Sequence, residues 1–166
     1  DSPSWWEKIS EHYNELGRHY HTLSHIKRLL QTYDAYCSTE KNAASFSDQW
    51  DMKMAIFFHD VIYDPTADDN ENQSAEMFKA FARDTHLSDA SAQERVFWMI
   101  LSTKKHQRLD RPDLTDTAYP ANCLLFLDLD LEILGASEED YNEYKENIRL
   151  EYAHYTDEAY RHGRTG

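Results

Sequence analysis

Apolar residues recur at helical spacing along almost the whole chain, and that period restricts the fold more than any other feature. Trp5, Trp6, Ile9, Tyr13 and Leu16 mark one face of a first amphipathic stretch, which Gly17 ends. A second runs from Tyr20 to about Cys37, with Ile26, Leu29, Leu30 and Tyr33 on one face. On it His21 and His25 stand at i,i+4 and share a side. Gln49 to His59 is apolar enough to be the central buried helix. After the polar loop Tyr63-Asp64-Pro65-Thr66-Ala67-Asp68-Asp69-Asn70, helices are expected near 71–84, 91–103, 120–134 and 137–153, with a short one near 156–163. Ser91 stands three residues before Glu94 and Ser137 three before Asp140, both close to a capping box. Only four glycines and four prolines interrupt 166 residues, too few for a turn-rich β-sandwich. There is no internal repeat, low-complexity tract or linker. The expectation is an all-α bundle of about seven to eight helices in a single domain spanning residues 1–166.

Composition narrows the function classes. The longest apolar run, Val96 to Leu101, has six residues, so no membrane span is expected. The first residues lack the basic and apolar regions of a signal peptide. The chain begins at Asp1 without methionine and stops just after a helical pattern, as a trimmed fragment would. Cys37 and Cys123 show no metal-motif spacing, and Cys123, opening the run Leu124-Leu125-Phe126-Leu127, reads as a buried thiol. A reduced, cytoplasmic setting is the expectation. A formal charge of −14 argues against polymeric nucleic acid, whose phosphates need a basic surface. It leaves room for a small phosphorylated ligand, because a metal ion and a few local cations reverse the potential inside one pocket.

The chemistry concentrates at His59-Asp60, which closes the apolar run Met54-Ala55-Ile56-Phe57-Phe58. Neutral imidazole beside anionic carboxylate is a donor pair suited to a divalent cation. Two successive residues in mid-helix point about 100° apart, whereas at a helix C-terminus opening into a loop both can converge on one ion. His25 upstream and Asp130 downstream, in Phe126-Leu127-Asp128-Leu129-Asp130-Leu131, also lie in apolar-periodic segments. Helical bundles build core metal sites in this way, from side chains on different helices. The order His, His-Asp, Asp resembles that of the HD superfamily of metal-dependent phosphohydrolases. Arg18-His19-Tyr20-His21, Phe58-His59-Asp60-Val61-Ile62-Tyr63, Asn70-Glu71-Asn72-Gln73-Ser74-Ala75, Asp128 to Gly135 and Ile148-Arg149-Leu150-Glu151-Tyr152 follow one another as in its predicted metal-dependent phosphohydrolase branch. The resemblance runs from about Trp5 to Arg164.

That resemblance implies a metal site of His25, His59, Asp60 and Asp130, with Asp130 preferred to Asp128 by the family pattern. About one divalent ion per chain is expected, and manganese, magnesium, iron and zinc all suit the donors. The implied reaction is hydrolysis of a phosphoester or phosphoanhydride of a small phosphorylated metabolite, a nucleotide first among them, by metal-activated water. Asp64 is the acid expected to orient the nucleophile. Some nucleotide-hydrolysing relatives carry a Glu-Asp pair where this chain has Tyr63-Asp64, and Glu71 is the candidate for the missing carboxylate. Arg18, His21, Lys104, Lys105 and His106 are the candidates for binding substrate phosphate. Arg149 is expected to pair with an acid of its own helix, among Glu143, Glu146 and Glu151. His86 and His106 lie where two-metal relatives recruit extra ligands. Two other readings stand: a di-iron oxygenase of the same fold, and a catalytically silent ligand-binding module.

Overall fold

The computed structural model describes residues 3–39, 46–109 and 119–165. Among them are eight α-helices and no strand: α1 Trp5–Tyr13, α2 Leu23–Cys37, α3 Phe46–Phe58, α4 Asn70–Asp84, α5 Ala90–Ser102, α6 Tyr119–Asp130, α7 Glu138–Glu151 and α8 Asp157–Thr165. Short 3-10 turns follow α5 (Thr103–Lys105) and α6 (Glu132–Gly135). The chain is the all-α bundle that the apolar period predicts.

α3 is the hub, packing on α2, α4, α5 and α6. Its second half, Met54 to Phe58, is wholly apolar, and no residue from Asp48 to Phe58 is exposed, so this helix needs neighbours on all sides. Met52, Ala55, Ile56 and Phe58 are buried there against Leu29 and Tyr33 of α2, Phe78 of α4, Val96, Met99 and Ile100 of α5, and Phe126 of α6. Burying a large apolar side chain of this kind contributes about 2 kcal/mol. α1 is laid across the end of α3 by the Tyr13 hydroxyl, which donates to the Phe57 carbonyl at 3.0 Å. A buried ion pair crosses this interior: Arg95 Nε of α5 donates to Asp51 Oδ2 of α3 at 2.5 Å. No local pattern announces it.

Several boundaries differ from the sequence reading. α1 ends at Tyr13, leaving Leu16 fully exposed in a turn closed by Gly17 at φ +98°. α2 begins at Leu23, because Thr22 adopts an extended conformation and its side chain accepts from the Ser24 amide. His21 therefore precedes the helix and does not share its face with His25. α5 is capped by Asp89, whose Oδ1 accepts from the Ala92 amide at 2.9 Å. Ser91 is already helical, and Glu94 accepts from the Trp98 indole instead. The expected cap of α7 is present: the Asp140 amide donates to Ser137 Oγ at 3.2 Å. A full capping box at Ser4 and Glu7 starts α1. The helix expected over 120–134 stops at Asp130, so that residue stands at a helix end. Cys123 is buried as expected.

Candidate metal centre

His25 sits in the first turn of α2, His59 and Asp60 follow the last residue of α3, and Asp130 is the last residue of α6. Three helix ends thus deliver four donors to one point. Their ligating atoms lie within 4.8 Å of one another. Asp60 Oδ2 is 3.0 Å from His59 Nε2 and 3.9 Å from His25 Nε2. Asp130 Oδ1 is 3.3 Å from His59 Nε2 and 3.4 Å from His25 Nε2. Donors about 2.1 Å from a shared cation are separated by roughly 3.0 Å when about 90° apart and by roughly 3.4 Å at a tetrahedral angle.

Hydrogen bonding supports the same conclusion. His59 Nδ1–H donates to the Ile56 carbonyl at 2.9 Å, which leaves Nε2 facing the two carboxylates. His59 Nε2 and both nitrogens of His25 are buried yet aligned for a hydrogen bond with no protein group. Buried polar atoms are rarely left so, and a cation among the carboxylates satisfies the Nε2 of each histidine, though not Nδ1 of His25. Burial opposes ionisation of Asp60 and Asp130, but the neighbouring imidazoles outweigh it and hold both carboxyls below the usual carboxylate range. On these observations the residues fit a divalent metal ion.

Asp60 and Asp130 of the cluster line a cleft of about 340 Å³, with His25 and His59 buried behind them. Of the residues expected to act there, His21, Asp60, Asp64, Glu71, His106 and Asp130 line it. Asp64 is exposed, and its Oδ1 accepts from the Thr66 amide and hydroxyl at 2.8 and 2.7 Å, which makes it a turn former as well. Glu71 occupies the first turn of α4. His106, in the left-handed region at φ +45°, places Nε2 3.1 Å from Asp130 Oδ2. Asp128 is exposed on α6.

Other expected substrate contacts are placed differently. Arg18 is buried, and it donates to the carbonyls of Asp60 (2.6 Å), Val61 (2.8 Å) and His21 (3.2 Å) and to Glu15. Its guanidinium therefore holds the loop after His59 rather than facing the cleft. Lys104 donates to the Asp68 carbonyl at 2.5 Å, and Lys105 is exposed; neither lines the cleft. His86, at φ +53° past the end of α4, lies away from the site. Arg149 pairs with Asp157 at 2.6 Å and not with the acids of α7.

One residue of the site carried no separate signal. Glu151 ends α7 with its side chain fully buried. Its Oε1 accepts from the successive amides of His19, Tyr20 and His21 at 2.8, 2.8 and 2.9 Å. Its Oε2 accepts from His21 Nδ1–H at 2.7 Å and the Tyr63 hydroxyl at 2.9 Å. Burial alone would raise its pKa, but the His21 and backbone hydrogen bonds outweigh that and pull it down to about 2. Motif residues at the start of α4 are structural too: Asn70 bonds both backbone groups of Asp64, and Ser74 bonds those of Ile62. No protein-family model, curated protein or solved structure matches this chain, so its function is argued from this geometry.

Proposed function

We propose that this chain is a metal-dependent phosphohydrolase acting on a small phosphorylated metabolite, a nucleotide first among them. The observation that carries the reading is the group His25, His59, Asp60 and Asp130, whose histidines have buried Nε2 atoms without a hydrogen-bond partner and whose two carboxylates line a cleft. A divalent cation held there supplies the charge that neutralises phosphate oxygens and lowers the pKa of water. The protein's part is to hold the donors and arrange the surroundings. Arg18 fixes the backbone at Asp60 and Val61, so the His59-Asp60 pair keeps its aim. Asp64 and Glu71 stand on the cleft wall, where a carboxylate can accept a proton from water. His106 lies at the outer oxygen of Asp130 and is drawn towards its charged form first by that hydrogen bond. It is the ring N–H donor best placed to reach a phosphate oxygen, in a cleft that Lys104 and Lys105 do not line.

Among the described residues, one group of donors is gathered, which favours a single-ion hydrolase over a di-iron oxygenase. The test is metal content per chain, together with phosphate release from a nucleotide panel with added manganese. About one ion per chain and metal-dependent release are expected. Two irons and no release would replace the reading with oxygen chemistry, and failure to bind any metal after reconstitution would remove it.

A further inference from the structure

His21 is held more tightly than a surface histidine beside a pocket would need. Tyr63 packs against its ring with centroids 4.2 Å apart and planes tilted by 31°, and Tyr20 meets it edge-on at 5.1 Å and 87°. Anchoring the backbone of residues 19–21 occupies only Oε1 of Glu151; Oε2 is directed at the His21 ring and at the Tyr63 hydroxyl that supports it. An ionised carboxylate can only accept, so Nδ1 of His21 carries a proton, and a cation held at the cluster, by repelling a second positive charge, favours the ring form in which that proton is the only one. The ring atom left is Nε2, on the cleft side, 3.9 Å from Asp60 Oδ2. His59 has the same tautomer, fixed by the Ile56 carbonyl, but its Nε2 belongs to the four-donor group and that of His21 does not.

We propose that Glu151, with Tyr63, is a positioning residue that fixes His21 in one orientation and one tautomer, so that Nε2 accepts a hydrogen bond from the water held at the metal cluster. The task given to His21 rests on the phosphohydrolase reading; its positioning by Glu151 does not. The His21 lone pair orients the O–H of the attacking water while the four donors hold the cation. Glu151 touches neither substrate nor metal and acts only through His21.

The experiment compares the full chain with Glu151→Gln, Tyr63→Phe, His21→Ala and the Glu151→Gln/His21→Ala double variant. Nitrogen-15 NMR of the magnesium-loaded protein reads the tautomer of His21. Calorimetry reads manganese affinity, and p-nitrophenyl phosphate with manganese reads turnover. The expected spectrum of the parent shows a single Nδ1–H form, and Glu151→Gln shifts it towards Nε2–H because its amide donates where the carboxylate accepted. Glu151→Gln and His21→Ala each lower kcat roughly 10- to 100-fold with manganese affinity unchanged. Tyr63→Phe keeps the tautomer, and the double variant falls no further than His21→Ala. An Nε2–H or mixed form in the parent would overturn the positioning. So would manganese affinity falling in step with kcat, or losses that multiply in the double variant. If the metal-loaded parent releases no phosphate from this or any nucleotide probe, the hydrolase reading falls and takes the task of His21 with it. The NMR comparison then still decides whether Glu151 sets the tautomer.

Discussion

Asp130 shows how much one side chain carries. Its two oxygens face different partners, Oδ1 towards His25 and His59 and Oδ2 towards His106. Asp130→Ala removes a charged donor from a set of four, and calorimetry should find no measurable manganese binding, with the far-ultraviolet circular dichroism of the bundle retained. Arg18 acts on the same centre without touching it. Arg18→Met leaves the carbonyls of Asp60 and Val61 without their donor, and buried acceptors left unpaired cost about 1–3 kcal/mol each. Urea titration should show a loss of about 2–4 kcal/mol, and metal affinity should fall roughly 10- to 100-fold as the loop loosens. Arg18→Lys should recover only part of this, since an ammonium cannot span three carbonyls and Glu15 with a planar fork.

For the helices, the deciding detail is where each one stops. α3 and α6 end within two residues of their metal donors, which lets His59-Asp60 and Asp130 converge in a way that mid-helix positions would forbid. α2 contributes from its start, since Thr22 caps it and brings His25 into the first turn. The N-terminus of α5 offers a clean comparison. Asp89→Ala should cost about 1 kcal/mol by thermal or urea unfolding, because the Ala92 amide loses its acceptor. Ser91→Ala, inside the helix, should change stability by less than about 0.5 kcal/mol. The two acceptors lie close enough in sequence for either to cap, and only backbone conformation distinguishes them: Asp89 is extended, Ser91 helical.

Taken as one body, the fold and the site share a single dependence on the end of α7. Glu151 is ionised in the folded state with its pKa drawn down to about 2 from an ordinary 4.5. A depressed carboxylate pKa stabilises above the unfolded value, so its contribution is complete above pH 4.5 and is lost as pH falls towards 2. Linkage makes that contribution about 3 kcal/mol. Stability curves at a series of pH values should fall over this window, and Glu151→Gln should flatten that limb. Cation binding adds to the same balance from the other side of the turn. With free manganese at about 100 times Kd, the folded state should gain about 2.7 kcal/mol, and the melting temperature should rise with metal concentration and return on chelation.

Much of this was legible in residue order. An apolar period of 3.6 locates α2, α3, α4, α5, α6 and α7 because each helix must bury one stripe, and the motif order, read through the resemblance it carries, picks out His25, His59, Asp60 and Asp130 as donors. What stayed hidden are the pairings that depend on how those helices pack. Glu151 meets His21 across 130 positions and Arg18 meets Asp60 across 42. His106 reaches Asp130 only because the chain turns left-handed after α5. In local pattern Glu151 is one more acid on a polar helix and Arg18 one more surface cation, since a charged side chain finds its partner wherever burial makes an unpaired charge too costly. Helix type follows from neighbours in the chain, whereas the partner of a buried charge follows from neighbours in space.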